Sequence, residues 1–332
     1  MVTIPADHKY TTLALRVTRL IPRYSNPLQL APSLFATSEL PLALPDHWRT
    51  WLGTLRVDEL RQANLFLFAH APSVNPESLD DENRQLSDIV HRLYFGLLIA
   101  VPYISHAEGI RMTGVHFGGE VDVRGVTNYQ EILAPASCYG AVLDDAVLNT
   151  AREVADGIVA LEAAGGHNRT WRVIRAFYGA LQSNEFGLRI HQCVRCIEGF
   201  LLPNIGKTRR QFINRSALFV GGGHDQILGT LFDVRSAVEH LHGPYAVVTA
   251  PNRGAADLVL AELAFKAEAI ARYCLRRLFA TPALWPHFRG DADLANFWSL
   301  GQSDRATIWG IPMDANTAFG YFEQKTAAIQ LS

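Results

Sequence analysis

An arginine and two histidines that could act on phosphate lie close together in the chain, at Arg235, His240 and His242. A guanidinium group is permanently charged and donates parallel hydrogen bonds to a phosphate. An imidazole titrates near neutrality, so it can accept or donate a proton at physiological pH. A permanently charged guanidinium beside a group that titrates near neutrality is a combination suited to phosphate chemistry.

The sequence around these residues predicts an amphipathic helix. Apolar side chains recur at the spacing of a face that packs on a core, at Ile227, Leu231, Val234, Val238 and Leu241. Gly243 and Pro244 then predict the end of the helix, because glycine suits the position beyond the cap and proline cannot continue the helix. If the helix reaches this point, Arg235 and His242 lie about 700° apart and share a face, whereas His240 lies about 140° from Arg235.

A structural interpretation of the same helix is also open. Glu239 follows Arg235 by four residues and can form a helix ion pair with it. Both histidines can stabilise the carbonyl end of the helix through its dipole. The residues of this helix alone do not decide between the two interpretations.

The motif and its neighbouring segments resemble the HEPN family. Arg235 is followed after four residues by His240 and after six by His242, which is similar to the Arg-x4–6-His signature of HEPN domains. The resemblance is closest to the ApeA-like branch. It extends to two upstream helices, an arginine-rich helix and a glycine loop, at residues 171–180, 189–198, 207–217 and 221–223. It covers roughly residues 150–282, and the part of the chain before it resembles no family that we can name.

HEPN domains are α-helical bundles, and many are metal-independent ribonucleases of toxin–antitoxin, CRISPR-linked and phage-defence systems. The resemblance therefore implies an endoribonuclease without a cofactor that cleaves single-stranded RNA or tRNA. It also implies a defence effector or toxin, with an antitoxin or another defence protein as its partner. Two protomers usually form the cleft, which implies a homodimer. Because some HEPN domains do not cleave RNA, a non-catalytic protein that binds RNA or a partner subunit is the alternative.

The resemblance also implies a role for individual residues. Arg235 is expected to clamp the phosphate, Glu198 on the facing helix to orient Arg235, and Glu239 to lie beside it. His240 is the expected catalytic histidine, because a spacing of four is commoner among the relatives. His242 is the alternative, because in some relatives the motif histidine directly precedes glycine, and because His242 shares the predicted helix face with Arg235.

Charged residues are distributed unevenly along the chain. The formal net charge is only −2, but residues 1–167 contain 12 basic and 19 acidic side chains, whereas residues 168–280 contain 15 basic and 8 acidic ones. The basic half predicts a polyanionic partner. Four cations of one predicted helix are the expected RNA contacts: Lys207, Arg209, Arg210 and Arg215. Attraction between the two halves would explain the same asymmetry.

Neither a metal nor a cofactor site is expected. Cys193 and Cys196 form a Cys-x-x-Cys pair on a predicted helix, but no second pair of ligands follows, so buried thiols are the simpler interpretation. Residues 206–208, Gly-Lys-Thr, are similar to the end of a nucleotide-binding loop. Leu201 stands where that motif needs its first glycine, so the motif fails.

The pattern along the chain predicts an α+β protein with three parts. Residues 1–145 are interpreted as a mixed α+β domain with a sensing or partner-binding role. Residues 146–282 predict an all-α, HEPN-like helical bundle, and residues 283–332 an extension that wraps the bundle.

The first domain contains three well-defined predicted elements. These are a buried strand over 64–70, a helix over 80–101 and a hairpin over 110–125 that turns at Gly118 and Gly119. Neither a signal peptide nor an apolar run long enough to span a bilayer is apparent, so a cytoplasmic protein without a membrane partner is expected.

Overall fold

The computed structural model describes residues 4–17, 20, 24, 26–75, 79–101, 109–129, 142–204 and 206–320. The chain divides into two compact units, residues 1–155 and 156–332. The first unit contains an antiparallel sheet and the second is helical, so the protein is α+β as the sequence predicts.

The first unit is built on a six-stranded sheet with the strand order β2-β3-β4-β1-β5-β6, in which all neighbouring strands are antiparallel. Its elements are β1 (His8–Leu15), β2 (Leu28–Ala31), β3 (Leu34–Thr37), α1 (Asp46–Gln62), β4 (Leu65–Pro72), α2 (Asp81–Ala100), β5 (Gly109–Phe117) and β6 (Glu120–Tyr129). Helix α2 packs on β1 and β4. Another part of the core includes Tyr10, Phe66 and Met112, packed with Leu60 of α1.

Three local predictions for this unit are confirmed. The apolar run after Asn64 forms β4, and the predicted helix over 80–101 is α2, which begins at Asp81. Its N-cap is Asp80, whose side chain accepts a hydrogen bond from the backbone N–H of Glu82. The hairpin of β5 and β6 turns at Gly118 and Gly119, both with positive φ.

The boundary between the units, at residues 155 and 156, lies within a helix, α3 (Asp145–Ala164). Early in α3, the Ala151 carbonyl would lie 2.0 Å from a Cβ on Gly96 of α2, so this part packs closely in the first unit. Later in α3, a Cβ on Gly157 would lie 2.3 Å from the Phe279 carbonyl of the second unit. The two ends of one helix are therefore fixed by different units, which the continuous helical periodicity of α3 does not reveal.

The described residues of the second unit form helices joined by loops, with no β-strand among them. Its elements are α4 (Asn168–Leu181), α5 (Phe186–Leu201), α6 (Thr208–Val220), α7 (Asp225–Glu239), a short 3₁₀ helix (Pro244–Ala246), α8 (Arg253–Ala280), a second 3₁₀ helix (Pro282–Phe288), α9 (Asp291–Ser299) and α10 (Gln302–Trp309). Helix α5 packs against α4, α6, α7 and α8. It ends at Leu201 before Pro203, as expected for proline.

The segment after α8 packs on the other helices of this unit through aromatic side chains. Trp309 is fully buried, with its ring centroid 4.5 Å from that of Phe219. The indole of Trp298 donates a 2.9 Å hydrogen bond to the Phe200 carbonyl at the end of α5. Burial of two large aromatic side chains stabilises this association.

No helix in the described part of the chain has both the length and the apolar character that crossing a bilayer demands.

Candidate functional site

A seam of charged and polar side chains runs between α5 and α7. On α5, His191, Arg195 and Glu198 are spaced by four and three residues, so they lie on one face of the helix. On α7, Arg235 and Glu239 are four residues apart and share a face in the same way. The two helices pack against each other, and four of these residues meet in one cluster, which we call the open cluster: His191, Glu198, Arg235 and Glu239.

Two carboxylates lie beside Arg235, and the nearer one belongs to Glu198. Its Nη2 lies 3.2 Å from Oε2 of Glu198 and 3.9 Å from Oε2 of Glu239. The guanidinium also lies 5.9 Å from the centre of the Phe232 ring. The predicted contacts of Arg235 with the facing carboxylate and with its own helix neighbour are thus both present.

The other two nitrogen atoms of the Arg235 guanidinium, Nε and Nη1, are not paired with any carboxylate that the structure describes. Its Nε is buried and has no hydrogen-bond partner. Among the residues that the structure describes, no acceptor pairs with Nη1 either, although the side chain is 21% exposed. A buried donor without an acceptor is uncommon in folded proteins and is one mark of a functional site. Nη1 therefore remains as a donor with which the guanidinium can bind an oxyanion.

Glu198 combines burial with an ion pair. Its side chain is only 14% exposed. Burial raises the pKa of Glu198, and the Arg235 guanidinium opposes this rise without cancelling it. The carboxylate is thus costly to ionise except beside a cation, which favours the orientation of Arg235 toward it.

His191 belongs to this cluster, although the sequence analysis gives it no role there. Its Nε2 lies 2.5 Å from Oε2 of Glu239. Its Nδ1 is buried without a hydrogen-bond partner, and its Nε2 donates to the Glu239 carboxylate, which can only accept. The hydrogen bond from His191 lowers the pKa of Glu239, against a smaller effect of burial. The sequence signal was the spacing of seven residues between His191 and Glu198, which places both on one face of α5.

Helix α7 ends earlier than predicted. Its last residue is Glu239, and Leu241, not Gly243, occupies the left-handed position after the cap, with φ of 61°. The N–H of Leu241 bonds to the Val238 carbonyl, and the N–H of His242 to the Ala237 carbonyl, which is the Schellman pattern.

The early end of α7 corrects the prediction that Arg235 and His242 share one helix face, because His242 lies beyond the helix. The cause is packing further along the chain. A Cβ on Gly187 of α5 would lie 2.9 Å from Cγ of Pro244, so Pro244 sits directly on α5. The chain has to turn before this contact, and it does so at Leu241.

The two motif histidines are exposed at the end of α7. His240 is the C-cap residue, and its backbone N–H bonds to the Ser236 carbonyl. Among the described residues, neither the His240 nor the His242 ring forms a hydrogen bond or ion pair, so the structure does not bring them into contact with Arg235 in one chain. Leu241 between them is 95% exposed.

The expected RNA-binding cations fall into two groups. Lys207 and Arg210 are exposed beside a shallow depression at the start of α6. Arg209 also lines it, but its Nε and Nη2 bond to the two oxygens of Asp233 on α7, at 2.7 and 2.9 Å. The surface that can contact a polyanion at this point is therefore provided by Lys207 and Arg210 with a partly neutralised Arg209.

Arg215, the fourth expected cation, bonds to the backbone of its own unit. Its Nη1 donates to the Leu201 and Leu202 carbonyls at the end of α5, at 2.5 and 2.7 Å. Its guanidinium also lies 5.1 Å from the centre of a Trp298 ring. Arg215 thus satisfies carbonyls that the end of α5 would leave without partners.

The cysteines fit the simpler interpretation. Cys193, Cys196 and Cys274 are free and fully buried, and burial raises the pKa of each thiol. Cys138 lies outside the described residues. No group of three potential metal ligands occurs in the part of the chain that the structure describes.

Comparison of the chain with protein-family models, with curated proteins and with solved structures gives no match.

Proposed function

We propose that this protein is a metal-independent endoribonuclease whose site is formed by Arg235 and the histidines at the end of α7. One observation carries the proposal. Glu198 pairs with one terminal nitrogen of Arg235, and the other terminal nitrogen has no partner among the described residues. The exposed imidazoles of His240 and His242 follow directly after the last residue of α7. A cation that can bind phosphate and two imidazoles that can transfer protons therefore lie on one short segment of the chain.

The reaction would proceed by internal transesterification. One imidazole removes the proton of the ribose 2′-hydroxyl, whose oxygen attacks the neighbouring phosphorus. Arg235 stabilises the charge that develops on the phosphorane oxygens. A second, protonated imidazole gives its proton to the departing 5′-oxygen, which leaves a 2′,3′-cyclic phosphate and a 5′-hydroxyl.

We assign the catalytic histidine to His240, with His242 as the alternative. The HEPN resemblance implies that a second copy of the chain supplies the partner imidazole, so the active form would be a homodimer. The same proposal includes the arrangement of the helical unit as a HEPN bundle. It also includes a role as a defence effector or toxin, with an antitoxin or another defence protein as its partner.

A second candidate function is a non-catalytic protein that binds RNA or a partner subunit. The observation in its favour is that Arg235 has two carboxylates beside it already, one of them within 3.2 Å. In this alternative the ion pair of Arg235 with Glu198 holds α7 to α5, and Lys207 and Arg210 contact the nucleic acid.

The test is incubation of the purified protein with single-stranded RNA and with tRNA in the presence of a chelator. The proposal predicts products with 2′,3′-cyclic phosphate ends, formed at the same rate with and without the chelator. The matched control is Arg235→Ala. Binding of RNA without cleavage by the wild-type protein, equally strong in Arg235→Ala, would instead support the binding protein.

A further inference from the structure

The open cluster contains a carboxylate that two partners share. Oε2 of Glu239 lies 2.5 Å from Nε2 of His191 and 3.9 Å from Nη2 of Arg235. The nearer partner is therefore the histidine on the other helix, and the arginine on the same helix is beyond hydrogen-bond distance.

The surroundings of the two partners explain this preference. His191 is buried, with only 8% of its surface exposed, and cannot follow Glu239 if the carboxylate moves. Glu239 is 41% exposed and lies at the last residue of α7, so its side chain can reach either partner. Glu198 already pairs with Arg235 from α5, at 3.2 Å.

We propose that His191 is a positioning residue that holds Glu239 away from Arg235 and thereby keeps the arginine able to bind a phosphodiester of RNA. This inference rests on the proposed function and adds a control on the same site. Without the imidazole, Glu239 would turn to Arg235 and pair with it directly. An incoming phosphate would then have to break that ion pair before it could bind.

The charged groups around Glu239 are consistent with such competition. Arg195 of α5 lies close enough to act on both Glu198 and Glu239, and Arg235 acts on both as well. Two arginines thus lie near two carboxylates, and the donor supplied by His191 determines whether Glu239 approaches Arg235.

The first experiment measures binding of a single-stranded 2′-O-methyl oligonucleotide, which has no attacking hydroxyl, by fluorescence anisotropy. His191→Phe is expected to weaken binding about two- to fivefold, the range of an exposed ion pair that has to be broken. His191→Gln retains an N–H donor and is expected to bind as the wild-type protein does. Adding Glu239→Gln to His191→Phe is expected to restore wild-type affinity. Circular dichroism and thermal unfolding establish that each variant is folded.

Two outcomes would overturn the inference. One is wild-type affinity in folded His191→Phe, when Arg235→Ala binds more weakly. The other is a double variant no better than His191→Phe. Because Glu239→Gln alone replaces only an exposed side chain, it provides a test even if His191→Phe does not fold: it should bind the oligonucleotide at least as tightly as the wild-type protein, and weaker binding would contradict the inference.

A crystal structure of His191→Phe separates this inference from the proposed function. The inference predicts a Glu239 oxygen within hydrogen-bond distance of Arg235, whether or not the protein binds RNA. If Glu239 moves in this way but Arg235→Ala leaves oligonucleotide binding unchanged, the proposed function fails, and only the positioning of Glu239 by His191 remains of the inference. If Glu239 stays in place, the positioning role fails.

Discussion

Helix α5 contributes to two clusters of arginine and glutamate, and they differ in almost every physical respect. On the side facing α8, Glu268 is paired with Arg189 and Arg272, and its side chain is only 2% exposed. We call this the closed cluster. On the side facing α7 lies the open cluster, in which Arg235 and Glu239 are accessible and one terminal nitrogen of Arg235 lacks a partner among the described residues.

The bonding in the two clusters differs as well. Nε and Nη2 of Arg189 donate to one oxygen of Glu268, at 2.9 and 2.8 Å, and Arg272 bonds to the other oxygen. Burial alone would raise the pKa of Glu268, but the two guanidinium groups lower it to about 2. For Glu198, burial outweighs the effects of Arg235 and Arg195, and the pKa rises. The closed cluster is suited to holding helices α5 and α8 together. The open cluster is suited to binding a phosphate at Arg235 beside the protein carboxylates.

The largest expected effect is on the closed cluster. Glu268→Ala leaves two buried guanidinium groups without their carboxylate and is expected to lower the free energy of unfolding by about 3–5 kcal/mol. Glu198→Ala is the matched control and is expected to cost about 1 kcal/mol or less, because its pair is partly exposed. Urea denaturation at neutral pH measures both. Equal losses in the two variants would remove the distinction between the clusters.

The two clusters also predict opposite effects of pH on stability. The folded-state pKa of Glu268 lies below its ordinary value of 4.5. Its contribution, on the order of 3 kcal/mol, is therefore fully present above pH 4.5 and is lost as the pH falls toward 2. The folded-state pKa of Glu198 is raised, so its ionisation reduces stability as the pH increases above 4.5.

Urea denaturation between pH 2 and pH 7 tests this sign difference. In Glu268→Gln, the free energy of unfolding should decrease less between pH 4.5 and pH 2 than it does in the wild-type protein. Glu198→Gln should gain stability relative to the wild-type protein as the pH increases above 4.5. The same direction of change in both variants would contradict the account.

Substitution of the two exposed histidines at the end of α7 tests which of them is catalytic. His240→Ala is expected to lower the cleavage rate roughly a hundredfold, the usual loss for a general acid or base, and His242→Ala much less. Because both rings are exposed, neither change should alter the free energy of unfolding by more than about 0.5 kcal/mol. Single-turnover cleavage assays measure the rates. A larger loss in His242→Ala would reverse the assignment, and wild-type rates in both would remove the histidines from the mechanism.

The smallest expected effects concern the cations of α6. Lys207→Ala and Arg210→Ala should each weaken RNA binding modestly and reduce the slope of log affinity against log salt concentration by about 0.7–1. Arg215→Ala is the contrasting variant. It should lower stability and leave the salt slope unchanged, because its guanidinium bonds to the end of α5. A reduced salt slope in Arg215→Ala would instead indicate that Arg215 contacts the RNA.

The sequence predicts the local parts of the site better than their assembly. Short-range spacing is enough to anticipate the ion pair of Arg235 with Glu239 and the hairpin turn at Gly118, because each depends on neighbouring residues. The place where α7 ends depends on Pro244 packing against another helix, so it could not be read from the α7 sequence.

The contact of His191 with Glu239 depends on the register between α5 and α7, and single-helix patterns do not fix that register. The order of the sheet is likewise set by non-local pairing, since β1 lies between β4 and β5. Burial also separates residues that look alike in sequence. Arg215 and Arg210 belong to one basic helix, but only the environment shows that Arg215 has a structural position.

The most direct test of the difference between the clusters is to measure cleavage and stability on the same preparations of Arg235→Ala. The account predicts at least a hundredfold loss of RNA cleavage, a typical cost of removing a group that stabilises the transition state, while the free energy of unfolding changes by no more than about 1 kcal/mol. Cleavage at the wild-type rate would contradict the account. So would a loss of stability as large as that of Glu268→Ala, because Arg235 would then serve the fold rather than the reaction.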